Sequence, residues 1–107
     1  GFAAVISTAH SWVYKPKHLS EKAVQIDLLI DRNDQTINLC EMKYTNAPYN
    51  ISEEEDIKIR NTKSVFIKET GTNKSNLITM ITTYGLTPGG YADDIHCQVT
   101  MKDLFRF

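Results

Sequence analysis

The chain has 107 residues, of which 41% are hydrophobic and 23% charged, and its formal net charge is −1. This suits one domain with a single modest core and excludes a protein that grips nucleic acid through charge alone, which would be clearly basic. No apolar run is long enough to span a bilayer, and two isolated cysteines, Cys40 and Cys97, provide neither a disulfide framework nor a zinc knuckle.

In chain order, the stretch from Gly1 to Ala9 is small and apolar, suited to finishing a preceding helix or leading into a sheet. It lacks the basic flank of a signal peptide. With no initiator Met, the chain reads as a fragment of a longer one. A cytoplasmic location is expected, because a free thiol inside a core strand suits a reducing compartment. His10 to Pro16 reads as a first strand, with aromatics on a pleated surface and Pro16 ending it. Lys17 to Lys22 reads as a polar loop. Ala23 to Asp31 and Thr36 to Tyr44 are two Ile- and Leu-rich runs around the polar break Arg32-Asn33-Asp34-Gln35, which predicts a β-hairpin.

Thr45 to Asn50 is a loop. Ser52 with Glu55 forms a capping box that opens a helix over Glu53 to Thr70, and Gly71 stops it. The acidic run from Glu53 to Asp56 suits the positive end of the helix dipole and reads as a solvated helix start. Ile59, Thr62, Val65 and Phe66 give that helix a semi-apolar stripe. Asn76 to Thr83 is an apolar, central strand, Pro88-Gly89-Gly90 a turn, and Ile95 to Val99 an edge strand. Thr100 and Asp103 cap a last helical turn through Leu104 and Phe105. The predicted order is β-β-β-α-β-β, a mixed α/β sheet.

Three charged residues interrupt the hairpin where a core strand should be apolar: Asp27, Glu41 and Lys43. Strand alternation puts Glu41 and Lys43 on one face, and Asp27 reaches it if the register allows. Charges at the edge of an apolar hairpin need a partner, and a divalent metal ion is the natural one. The other reading is an ordinary strand ion pair between Glu41 and a lysine. Gln25 is one pleat before Asp27, either near a metal-bound water or simply polar at an edge. Lys58, Arg60 and Lys63 either face phosphate or keep the helix soluble, and Trp12, Tyr14 and Phe66 either stack on bases or fill the core. His10, His18 and His96 lack zinc-ligand spacing, and the chain has no nucleophile elbow and no Walker-type phosphate loop.

Asp27, a gap of 13 residues, then Glu41-Met42-Lys43 resembles the D…(D/E)-x-K pattern of the PD-(D/E)xK, or restriction-endonuclease-like, nucleases. The run from Trp12 to Phe107 looks like the C-terminal domain of bacterial AAA-type ATPases. It carries that likeness in Gln25 to Arg32, Ile37 to Tyr44, Leu77 to Leu86 and Val99 to Phe105. The resemblance implies one restriction-endonuclease-like α/β domain over residues 1–107, a mixed β-sheet flanked by helices, with its first helix upstream of Gly1. It implies Mg²⁺- or Mn²⁺-dependent hydrolysis of DNA phosphodiesters, with Asp27, Glu41 and Lys43 catalytic. Asp27, Glu41 and the Met42 backbone carbonyl would ligate the metal. Any ATP site would lie in the upstream ATPase domain, which becomes a partner within the parent chain. The rival expectation keeps the fold but makes the domain a non-catalytic binding or assembly module of that ATPase. A sheet lacking its covering helix would also drive copies together into a homo-oligomer.

Overall fold

The computed structural model describes residues 6–17 and 23–104. The strands are β1 (Ile6–Tyr14), β2 (Val24–Arg32), β3 (Thr36–Lys43), β4 (Ser75–Thr82) and β5 (Cys97–Thr100). The helices are α1 (Glu53–Thr70), between β3 and β4, and the single turn α2 (Met101–Leu104). The strands form one five-stranded sheet in the order of the sequence. β1, β2 and β3 are antiparallel neighbours, whereas β3, β4 and β5 run parallel. Parallel neighbours need a crossover, and α1 supplies the one from β3 to β4.

Two apolar layers follow from strand alternation. Ile26, Leu29, Ile37 and Leu39 pack with Phe66 of α1, and Trp12 leans against them. Met80 continues this face with Ile51, Leu86 and Ala92, closed by Tyr49, Ile59 and Ile95. The other face carries Ile30, Cys40 and Ile81, packed with Leu28, Met42, Val99 and the first residue of α2, Met101. Asn38 is fully buried in this sheet, and its amide donates to the Thr79 hydroxyl at 2.9 Å across to β4.

The predicted order of elements holds, and so does the hairpin. β1 starts earlier than its aromatic run suggested, already at Ile6. β5 is shifted toward the C-terminus, Cys97–Thr100, and the residue before it, His96, already makes side-chain and backbone links to β4. Its Nδ1 accepts from the Ile78 N–H at 3.0 Å and its own N–H donates to the Ile78 carbonyl at 3.1 Å. The loop after β1 and the residue Phe105 expected in the last turn lie outside the described residues, apart from Lys17. α2 itself is capped as expected, with the Asp103 N–H donating to the Thr100 hydroxyl at 3.2 Å. No helix among the described residues is long and apolar enough to cross a membrane.

Helix α1 begins and ends where its caps place it. Ser52 has extended backbone angles and its hydroxyl accepts from the Glu55 N–H at 3.2 Å. Gly71 closes the helix at φ 63°, with its N–H on the Ile67 carbonyl, a left-handed position that suits glycine. Ser52→Ala is expected to lower the unfolding free energy by about 1 kcal/mol, read as a lower urea midpoint at unchanged slope. Ser52→Asp should leave the midpoint nearly where it is.

Candidate functional site

The three charged hairpin residues come together at the end of β3, and the local backbone explains how. Between β1 and β2, His10 pairs with Leu29 and Trp12 with Ile26, so β2 carries one extra residue at Asp27 and Leu28. This is a β-bulge, a device that re-aims a side chain and interrupts the ladder. The β2–β3 ladder indeed ends at Leu28 and Cys40. Beyond it, the Asp27 carboxylate takes over, accepting the Met42 N–H at 3.0 Å. Asp27 is thereby held on the amide that lies between Glu41 and Lys43.

Glu41 and Lys43 lie on the face of β3 that Ile37 and Leu39 turn toward α1. The Lys43 ammonium is 3.6 Å from Glu41 Oε1 and 3.8 Å from Glu55 Oε2, in the first turn of α1. It lies 5.7 Å from the centre of the Tyr49 ring, within cation–π range. The Tyr49 hydroxyl donates to the same Glu55 oxygen at 2.5 Å. Burial and the neighbouring Glu55 and Glu41 push the Tyr49 hydroxyl up to about 12.

Glu41 has an electrostatic problem within this arrangement. Burial raises its carboxyl above the ordinary value, and the Asp27 charge raises it further. Lys43 and Lys58 pull in the opposite direction and do not cancel the rise. A carboxylate in that position favours a bound proton or a bound cation. The Cys40 thiol, next along the strand, is pushed up to about 12, mainly by burial. It is a packed, unreactive thiol, and both cysteines are free.

Several expectations need correction. Glu53 and Glu54 are exposed, as a solvated helix start should be, but Asp56 is buried and Glu55 half-buried. Asp56 holds Arg60 Nε at 3.0 Å, and Arg60 reaches on to Asp94 at 2.7 Å. That ion pair network ties α1 to the turn before β5 and uses up the Arg60 charge. Lys58 and Lys63 do face the cleft beside Glu41, with Gln25, Ile59 and Thr62 on its walls. Trp12 and Phe66 are core: their rings meet edge to face at 5.1 Å. The return half of the capping box also differs, since the Glu55 carboxylate goes to Tyr49, Lys43 and the Ser52 hydroxyl.

Glu55 and Tyr49 are the site residues that sequence reasoning missed. The capping motif accounted fully for Glu55, and Tyr49 lay in a loop with no signal of its own. Tyr49 is placed by a single parallel bridge to Leu86, a contact made only in the folded chain.

Among the described residues no three or more His, Cys, Asp or Glu side chains gather as a metal cage. The donor set is two carboxylates, Asp27 and Glu41, with a lysine beside them. Zinc would want more nitrogen or sulfur ligands. Mg²⁺ binds through one or two carboxylates and keeps several waters, so this donor set fits Mg²⁺ or Mn²⁺. The raised Glu41 carboxyl fits as well, because a cation relieves both its burial and its repulsion from Asp27. No protein-family model, curated protein or solved structure matches this chain.

Proposed function

We propose that this chain is a restriction-endonuclease-like domain that hydrolyses nucleic acid phosphodiesters, DNA in the first instance, with Mg²⁺ or Mn²⁺. The observation that carries the reading is the Asp27 carboxylate held on the Met42 amide, between Lys43 and a Glu41 carboxyl that burial and Asp27 raise above its ordinary value. The mixed sheet, with antiparallel β1 to β3 and a helical crossover into parallel β4, is compatible with that fold.

In this reading Asp27 and Glu41 hold the cation, and the Met42 carbonyl is its candidate backbone ligand. When bound, the metal lowers the pKa of a coordinated water and neutralises phosphate charge. The rest falls to the chain. The bulge at Asp27 keeps the first carboxylate in place without a side-chain partner. The Ile37 and Leu39 face next to Glu41 excludes water from one side of it. Lys43 brings a positive charge to where a phosphorane would develop negative charge. Lys58 and Lys63, at the edge of the cleft, receive the neighbouring phosphates.

The test is a calorimetric titration with Mg²⁺ and Mn²⁺ of the wild type, Asp27→Asn and Glu41→Gln. Asn still offers an oxygen to the Met42 N–H, so the strand pairing survives. Saturable binding lost in both variants is expected. Lys43→Met should keep the metal affinity and lower cleavage by about 10²–10³-fold. A folded wild type that binds neither ion would overturn the reading. The non-catalytic module of an AAA-type ATPase would then stand in its place. The net charge of −1 and the closure of Lys43 on two carboxylates favour that second reading.

A further inference from the structure

Lys43 has two acidic partners, and they are not equivalent. Glu41, at 3.6 Å, is the carboxylate that the proposed cation would take. Glu55, at 3.8 Å, comes from a different element and is tied down by other contacts. The Tyr49 hydroxyl donates to its Oε2 at 2.5 Å, and the Ser52 hydroxyl lies 3.4 Å from its Oε1. Tyr49 is itself clamped. Its N–H donates to the Gly85 carbonyl at 2.9 Å, and its carbonyl accepts from the Thr87 N–H at 2.8 Å.

We infer that Glu55, fixed by Tyr49, is a positioning residue for Lys43, holding the ammonium at the site whenever Glu41 is engaged elsewhere. Lysine is a point charge on a flexible four-carbon stem. Without Glu55, and with Glu41 taken, it would swing out to water, where its head group is best solvated. With Glu55 in place it keeps one charged partner and the face of one aromatic ring. The Tyr49 hydrogen bond restricts the Glu55 rotamer, so the second partner is ready before it is needed. The functional meaning of this holder rests on the proposed metal-dependent reading. The contact itself requires no metal.

Nitrogen-15 NMR of the Lys43 ammonium tests it, because that cross-peak survives only where exchange with water is slowed. Glu41→Gln stands in for an engaged Glu41 without any cation. The cap bond is the Glu55 backbone N–H on the Ser52 hydroxyl, which Glu55→Gln leaves in place, and circular dichroism checks that α1 is retained. The peak is expected to persist in Glu41→Gln, to broaden when Tyr49→Phe is added, and to vanish when Glu55→Gln is added. A peak already lost in Glu41→Gln, or one that survives the double substitution Glu41→Gln and Glu55→Gln, overturns the inference. Wild-type protein that binds neither Mg²⁺ nor Mn²⁺ would overturn the proposed function and leave this result standing. If cleavage is observed, Glu55→Gln should lower kcat about tenfold with KM and metal affinity unchanged. An effect on KM alone would overturn the positioning role.

Discussion

Phe66→Ala is expected to lower the unfolding free energy by about 3–5 kcal/mol, a large share of the roughly 5–15 kcal/mol that a small domain has. The reason lies in the composition of α1. Only Asp56 and Phe66 are buried among its 18 residues. The rest of its inner face is Ile59, Thr62 and Val65, each only partly covered. Phe66 is therefore the main apolar anchor between the helix and the sheet. It packs among Ile26, Leu29, Ile37 and Leu39, with the Trp12 ring edge to face at 5.1 Å. Truncation to Ala removes the ring and leaves a cavity between two rigid elements that close it only in part. Trp12 is the sole tryptophan, so urea unfolding followed by its fluorescence reads both stability and the local packing. Phe66→Leu should lose much less, because it keeps most of the volume. A loss of under about 1 kcal/mol for Phe66→Ala would mean that α1 is held by its ion pairs instead.

Glu41→Gln is expected to stabilise the metal-free protein at neutral pH, by up to about 1 kcal/mol or a few degrees in Tm. The sign follows from the direction of the Glu41 shift. Its folded carboxyl lies above the unfolded value, chiefly through burial and then through Asp27. Such a group contributes its stability below the unfolded pKa of about 4.3. That contribution is lost as pH rises through the folded value. The Tm of the wild type should therefore fall relative to Glu41→Gln across that window, and the gap should stay constant above it. Added Mg²⁺ should reverse the order, raising the wild type by mass action and leaving the variant unmoved. Thermal melts at a series of pH values, with and without Mg²⁺, check both halves. A wild type more stable than Glu41→Gln at neutral pH without metal would mean that Lys43 and Lys58 outweigh burial and Asp27.

The two predictions pull in different directions for a physical reason. Phe66 is placed where burial is most favourable. Glu41 is placed where burial is unfavourable, one step beyond the apolar residues Ile37 and Leu39 of its own strand. Residues kept at a cost to the fold are those expected at a functional site.

Local chemistry made much of this legible in the sequence. Ser52 and Gly71 bound α1 at both ends, because caps act within one turn. The hairpin could be read from two Ile- and Leu-rich runs around a polar break, and Lys43 shares a face with Glu41 because strand side chains alternate. The identity of the charged triplet was likewise visible as an interruption of apolar runs. The bulge was not visible. Nothing in Gln25-Ile26-Asp27-Leu28 announces an extra residue, and the register shift exists only against β1. The burial of Asp56 was equally hidden, since its partner Arg60 draws on Asp94 from the distant segment between β4 and β5.

By itself, then, the sequence determined the order of strands and helix, the ends of α1, and the presence of Asp27, Glu41 and Lys43 in one hairpin. Periodicity, capping and turn chemistry are properties of neighbouring residues. Only the tertiary structure decided that Asp27 reaches the Met42 amide, and that Glu55 and Tyr49 close on Lys43. Those contacts join residues from β2, β3, the following loop and α1. Their energies depend on burial and on charge separations that no local pattern carries.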